Sequence, residues 1–501
     1  MTEDDPVSAG VRRRVVLQWA SVCSSVLAAG ACGGGGDAGA EPLPGTSAPP
    51  PPGSPTPPAP APSTPPSPGP APAPTPAPTS GPAPGPTPAP PPGPAPSPTP
   101  APPPGSTPAP APAPTPVPTP PPPPPEPIAD SLLNIKPENQ AATFRNMNRL
   151  VATRDVPRGS TLQELRPHAR VLGPGTTYVF GSGTRTLADY LQSPSMRNAG
   201  LLVLKNGEIA FESYGMGNNQ WSRWCSFSVT KSVTATLVGA ALHDGSLDSL
   251  DRRVETLVPQ LAGTAWAGTT VRHLLRMCSG MAWTEDVTNP KSDLSAFSAL
   301  VLAAQVGGPM AYMRARPRTW ATGTRFNYST GEAFVLGAAL VGATGMPLAT
   351  YLSQKIWSRI GMQADAYWTL EGPGGLELGG ASISATLRDF GRLGLLVLRD
   401  GVHNGQRLLP AGWRDRAGRP EDALTAPGKV WGDYPLGYGY FWWPFPDSSA
   451  FEAQGLHGQT LLVHPGENLV VVVFNTWVQA GNFQGEKETW AMFEGVAAAL
   501  R

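Results

Sequence analysis

The sequence predicts an α+β domain preceded by a long low-complexity leader. Three observations carry that prediction. A strand–turn–strand pattern, Gly200 to Glu212 around Asn206-Gly207, opens the globular part. A second one, Thr460 to Asn475 around Pro465-Gly466, lies near its end. Between them, apolar residues recur at helical intervals. That order predicts one antiparallel sheet built from both ends of the domain and flanked by helices, with a mainly helical region inserted.

The N-terminus reads as an export signal over residues 1–31. Arg12-Arg13-Arg14 precedes an apolar run from Val15 to Ala31, and the small residues Ala28-Ala29-Gly30-Ala31 lead to Cys32. A charged head, a short apolar middle and a small-residue end are the parts of a signal peptide. The run is too short and too flecked with Gln18 and serines to favour a membrane anchor helix. Cys32 directly after small residues resembles a bacterial lipoprotein processing site, and Arg13-Arg14-Val15-Val16-Leu17 resembles a twin-arginine signal. The expectation is an exported protein, on the periplasmic or cell-surface side, lipidated at Cys32 and held to a membrane by that anchor.

Residues 32–127 read as a disordered linker. Most of the 65 prolines fall between Pro44 and Pro127, among Ala, Ser, Thr and Gly that leave almost nothing to bury. Proline fixes φ and removes donors, so polyproline II is the regular form open to this stretch. Fully extended, it reaches roughly 260 Å, enough to hold a domain away from a membrane. The remaining residues, 128–501, suffice for one large domain. Lys plus Arg equal Asp plus Glu at 36 each, which leaves no electrostatic footprint for nucleic acid.

Within the domain, the helical pattern Val229, Val233, Leu237, Val238, Leu242 stops at Asp244-Gly245. Val271 to Met277 reads as a helix ending before Cys278-Ser279-Gly280. Further helices are expected over Gly331 to Thr344 and Ala349 to Ile360. Thr386-Leu387-Arg388-Asp389 has the spacing of a capping box. Tyr438 to Trp443 reads as a strand and Trp490 to Leu500 as a closing helix. Cys225 and Cys278 read as separate buried thiols, although an exported location would permit a bridge. Trp224, Trp283, Trp442 and Trp443 read as core.

The chemistry points to Ser228 and Lys231. Three apart at a helix start, they face the same way, so the amine reaches the hydroxyl. A helix N-terminus adds free N–H groups and the positive end of the dipole. A hydroxyl, an amine and that field together make an acyl-transfer centre. There is no G-x-S-x-G elbow, which argues against an α/β-hydrolase. There is no H-E-x-x-H and no cluster among the six histidines, which argues against a zinc hydrolase. No metal and no cofactor are expected.

Four motifs follow in order: Ser228-Val229-Thr230-Lys231, Val271-Arg272-His273-Leu274-Leu275 with Ser279-Gly280, Phe326-Asn327-Tyr328-Ser329-Thr330-Gly331, and Gly455-Leu456-His457-Gly458-Gln459. In this order they resemble the serine β-lactamase and penicillin-binding-protein superfamily. Gly374 to Gly380 and the Trp442-Trp443 segment resemble its branch of 6-aminohexanoate-dimer hydrolases and related esterases. The resemblance implies a β-lactamase/transpeptidase-like fold and cleavage of a small amide or ester. It implies Ser228 as nucleophile, Lys231 as base and Tyr328 as proton relay, with an ammonium nearby favouring the phenolate. The family's Tyr-x-Asn stands here as Tyr328-Ser329-Thr330, so Thr330 replaces an amide. Its Lys-Thr-Gly aligns with Leu456-His457-Gly458. The N–H groups of Ser228 and Gln459 would then form the oxyanion hole, with Thr330, His457 and Gly458 toward substrate. His457 reads equally well as a structural strand histidine. The alternatives are a β-lactamase, a D-alanyl-D-alanine carboxypeptidase, or a non-catalytic cell-wall or β-lactam binding module.

Overall fold

A computed structural model describes residues 126–432 and 434–501. The expected signal peptide, the lipidated Cys32 and the linker up to residue 125 lie outside the described residues. In chain order the strands are β1 Thr153–Val156, β2 Thr177–Phe180, β3 Gly183–Thr186, β4 Asn198–Lys205, β5 Glu208–Tyr214, β6 Trp224–Cys225, β7 Ala366–Thr369, β8 Ile383–Ala385, β9 Val402–His403, β10 Gln406–Arg407, β11 Trp443–Pro444, β12 Phe451–Gly455, β13 Gln459–His464 and β14 Leu469–Asn475.

The main sheet is antiparallel in the order β11-β12-β13-β14-β4-β5, so strands from both ends of the domain meet at its middle. There Val471 pairs with Val203 and Val472 with Leu202. The fold is the α+β one expected from the two hairpins. β14 is buried along its whole length and β4 along all but Lys205. A strand covered on both faces reads as a continuous apolar run, which is why Leu469-Val470-Val471-Val472-Val473-Phe474 lacks alternation. Helix Leu387–Leu398 packs on β4, β13 and β14.

A smaller sheet, β1-β7-β8-β6, ends at Trp224-Cys225, which leads the chain into the buried helix Val229–Asp244. That helix is buried from Val229 to Ala241, so its hydroxyls need internal partners. Thr234 donates to the Gly379 carbonyl at 2.6 Å, Ser232 donates to the Phe441 carbonyl, and Thr230 accepts from the Ile383 N–H at 2.9 Å. Gly245, at φ 80°, ends it where the Asp-Gly signal predicted. It packs against helix Thr330–Thr344. The helical region between β6 and β7 also holds Val271–Leu275, Asp293–Leu302 and Gly308–Arg314.

Three local readings differ from expectation. Tyr438 to Trp443 is not a strand: the chain turns at Phe441, φ 62°, and pairing begins at Trp443. Those aromatics are buried because an irregular segment packs them, not because a sheet face does. The segment after Leu352 passes into a π-helical turn, Ser353–Trp357. Thr386 caps its helix by accepting from Asp389 N–H, but the Asp389 carboxylate takes the N–H groups of Gln363 and Ala364 and the Arg392 guanidinium instead of closing the box. Cys225 and Cys278 are separate buried thiols.

Candidate active site

Ser228 occupies the position before the first residue of helix Val229–Asp244. Among the described residues no acceptor takes its N–H. Lys231, one turn on, donates to Ser228 Oγ, to Thr330 Oγ1 and to the Gly380 carbonyl, each at 2.9 Å. An ammonium has three donors, and all three are used. As a neutral amine Lys231 keeps two of these contacts and turns its lone pair to Ser228. Burial favours that neutral form: the amine is brought down from its usual range to about 8, although the Glu285 carboxylate works the other way.

Tyr328 reaches the same hydroxyl from the other side. Its ring lies 4.8 Å from Lys231 Nζ and stacks on Trp443 at 5.7 Å, with Trp431 at 5.4 Å. Burial, reinforced by the Glu285 charge, pushes the phenol far up, and hydrogen bonding with Ser228 opposes this only in part. Burial thus favours the neutral phenol, against the phenolate that a nearby ammonium would favour. In this dry pocket the nearby Lys231 ammonium does not offset the desolvation of an anion.

The second motif holds this arrangement from behind. Ser279 donates to the buried Glu332 carboxylate at 2.6 Å, and burial raises that carboxyl to about 8. Asn327 N–H donates to the Met277 carbonyl at 2.8 Å. These bonds join the Ser279 segment to the Tyr328 segment.

Glu285 was missed by sequence reasoning. Its carboxylate accepts from the Thr330 N–H at 2.9 Å and from the Thr330 hydroxyl and the Trp283 indole N–H. Thr330 thus passes a hydrogen bond from Lys231 to Glu285, a task its short hydroxyl performs in place of an amide. No periodicity marks Glu285; the one trace is an acidic pair, Glu285-Asp286, shortly after Ser279-Gly280.

A cavity of about 270 Å³ opens over Ser228, Tyr328 and Thr330. Its wall includes Phe227, Phe297, Leu378, Trp431, Trp443 and Trp477, so Trp443 is cleft as well as core. Trp224 and Trp442 are core. The lining residues include Glu285 and Glu486 and no arginine, lysine or histidine; burial raises the Glu486 carboxyl to about 7.

The fourth motif lies elsewhere than expected. The cavity is lined by Gln454, Gly455 and Leu456, not by His457, Gly458 or Gln459. β12 ends at Gly455, and the chain turns at His457, φ 60°, and Gly458, φ 84°, before Gln459 opens β13 opposite Gly455. The Gln459 side chain bonds Trp224 Nε1 at 2.9 Å and the Asn475 carbonyl at 2.8 Å, inside the core. His457 is buried, with Nδ1 2.8 Å from the Trp477 carbonyl and its ring among Phe144 and Phe227. It stands in a turn rather than a strand, buried and not among the residues that line the cavity. A Cβ on Gly458 would meet the Trp477 ring at 2.4 Å, so that glycine serves the turn. A Cβ on Gly455 would stand 2.4 Å from the Ser226 carbonyl oxygen and 3.2 Å from Ser228 N. The backbone of Gly455 therefore lies close beside the Ser228 nitrogen.

Residues 184–492 match the family model described as Beta-lactamase. The chain belongs to that family. It is 30% identical over 286 residues, 55% of this chain and 72% of the relative, to the 6-aminohexanoate-dimer hydrolase of Paenarthrobacter ureafaciens. Among solved structures it resembles a Bacillus anthracis protein provisionally described as a 6-aminohexanoate-dimer hydrolase, with a TM-score of 0.64, 21% identity, and 72% of this chain and 94% of that one covered. It also resembles EstCE1, a hydrolase with promiscuous acyltransferase activity, with a TM-score of 0.50, 16% identity, and coverage of 63% and 98%. Both likenesses show the β-lactamase/transpeptidase-like fold. Family and relative together make the chain a hydrolase of the β-lactamase fold.

Proposed function

We propose that this protein is a serine hydrolase that cleaves amide or ester bonds through an acyl-enzyme on Ser228. The observation that carries the reading is the buried Lys231 amine, brought down to about 8 and 2.9 Å from Ser228 Oγ. Neutral Lys231 takes the Ser228 proton as Oγ attacks the carbonyl carbon. The carbonyl oxygen becomes an oxyanion facing the N–H groups of Ser228 and Leu456. As the tetrahedral intermediate collapses, the Tyr328 phenol gives its proton to the leaving amine or alkoxide and regains one from the Lys231 ammonium. Water then attacks the ester on Ser228 by the same route in reverse. Thr330 and Glu285 hold Lys231 in place and offset its charge while it carries the proton.

The cavity wall narrows the substrate. The Glu285 carboxylate, with no cationic side chain among the lining residues, disfavours a substrate carboxylate. Penicillins, cephalosporins and peptides ending in D-alanine all carry one, and so does the linear 6-aminohexanoate dimer on its leaving half. A neutral ester suits the wall best; the linear dimer is intermediate, since the ammonium on its acyl half complements Glu285 while the carboxylate on its leaving half does not. Purified protein assayed on p-nitrophenyl butyrate, the linear 6-aminohexanoate dimer, a D-alanyl-D-alanine peptide and a chromogenic cephalosporin should turn over the ester fastest and the dimer next. The last two should be at least about 10²-fold slower, the size of a like-charge penalty of a few kcal/mol. Highest kcat/KM on the cephalosporin or the D-alanyl peptide would reverse the assignment, and none on any would favour a binding module.

The same proposal places the protein outside the cytoplasm, with Cys32 as a lipid-bearing mature N-terminus and the proline-rich stretch as a spacer. Fractionation of Cys32→Ala tests this: the variant should leave the membrane fraction and run at a different processed size. Unchanged membrane association at the same size would rule the anchor out.

A further inference from the structure

Two residues of the cavity wall lie well before the family match begins at residue 184: Leu132 and Leu133. They belong to an arm, residues 126–145, that folds back on itself beside the cavity. Glu126 accepts from Arg145 Nη2 at 2.7 Å, and its carbonyl accepts from Arg149 Nη1 at 2.9 Å. Ala129 N–H donates to Thr143 Oγ1 at 2.9 Å, and Ser131 Oγ accepts from the N–H groups of Leu133 and Asn134. The two leucines are half-buried within an arm whose ends are fixed on both sides of them.

The arm is fixed to the site as well. Phe144 is fully buried, with its ring 4.8 Å from that of Phe227, the residue before Ser228. Gln140, also fully buried, donates to the Ile135 carbonyl at 3.3 Å and to the Trp477 carbonyl at 3.1 Å. Phe227 and Trp477 both line the cavity. One segment therefore carries two leucines on the cavity wall and braces two wall residues from behind. A purely structural N-terminal extension has no need of leucines facing that cavity, where water would contact them in the empty site.

We propose that Leu132 and Leu133 are specificity-determining residues that seat the apolar tail of the substrate, making the arm a working part of the active site. The inference rests on the hydrolase reading for its substrates, and the test separates the two. In the full chain, kcat/KM is measured for p-nitrophenyl esters from acetate to octanoate and for alkyl acetates from methyl to octyl. In the parent, kcat/KM should rise along at least one series by about fourfold per methylene taken up by the wall. The Leu132→Ala/Leu133→Ala double variant should lose less than about threefold on the shortest member and about 10²-fold on the longest. Leu132→Met/Leu133→Met should restore most of the slope, since methionine fills the same volume. An equal loss on every member, tracking a lower Tm, would make the leucines structural and overturn the proposal.

The second arm of the test needs no chemistry. In the Ser228→Ala background, calorimetry compares octananilide with acetanilide. Octananilide should bind more tightly, and adding the double alanine change should remove the difference. That result stands even where Ser228 proves not to be the nucleophile. A chain-length preference that survives the double change overturns the proposal even where hydrolysis is established.

Discussion

Replacing Glu285 by Gln separates the charge of this residue from its hydrogen-bonding role. Glu285 reaches Lys231 through Thr330, so its carboxylate lies two hydrogen bonds from the amine. Two unit charges about 5 Å apart interact by about 3 kcal/mol at an effective dielectric near 20. Glu285 is partly exposed in the cavity wall, so solvent reduces this to about 1.4 kcal/mol, one pK unit. Removing an anion withdraws support from an ammonium, so the amine loses its proton at lower pH. Lys231, at about 8 in the parent, should fall to about 7 in Glu285→Gln by that one-unit change. If the neutral amine is the base, kcat/KM rises with pH through that value and then levels off. The rising limb should move down by about one unit, and the neutral fraction at pH 7 should go from about a tenth to about a half. Activity at pH 7 should therefore rise about fivefold, while the plateau above pH 9 stays within about threefold because glutamine still accepts from Thr330. The assay is a pH profile on a neutral ester from pH 5.5 to 10. A limb that stays in place or moves up would refute the argument that Glu285 tunes Lys231 through its charge.

Three further substitutions test other parts of the site. Tyr328→Phe removes only the hydroxyl and should lower kcat by about 10²–10⁴-fold with little change in KM; parental kcat would remove Tyr328 from the proton path. Gly455→Ala puts a Cβ against the Ser226 carbonyl and the Ser228 nitrogen; it should lower kcat by about 10²–10³-fold, as loss of an oxyanion donor does, and an unaffected kcat would place the oxyanion elsewhere. His457→Ala should cost about 2–4 kcal/mol of stability by denaturant titration, because it empties a buried space among Phe144, Phe227 and Trp477. Its KM should stay near the parent's, and a raised KM at parental stability would return His457 to the substrate side.

The parts of this protein that announce themselves in sequence are those with a short-range period. Ser228 and Lys231 are one helical turn apart, and the helix they begin is bounded by Asp244-Gly245. The two hairpins carry their turn residues and their apolar runs, so the joining of the termini in one sheet followed from them. What was not legible depends on contacts between distant segments. Glu285 meets Lys231 only because Thr330 stands between them, more than forty residues further along. Gly380 offers a carbonyl that no side-chain pattern marks. The cavity-lining part of the fourth motif ends at Leu456, before Gln459, because Leu456-His457-Gly458 is a turn between β12 and β13, whose positive φ values cannot be read from residue types that include a histidine. Tyr438 to Trp443 has the aromatic content of a strand, yet its rings pack around Tyr328 and the core from an irregular chain. Nothing local ties Leu132 and Leu133 to a cavity whose other walls come from segments about a hundred to more than three hundred residues away.

The central claim is that Ser228 is the residue acylated during turnover. Mass spectrometry of the full-length protein, trapped with a fluorophosphonate and, separately, with a slowly hydrolysed ester, tests it most directly. The account predicts one adduct, on the peptide carrying Ser228, formed faster as pH rises through about 8 and absent from Ser228→Ala, whose fold and Tm are retained. An adduct on a different residue, or labelling that persists in Ser228→Ala, would contradict it.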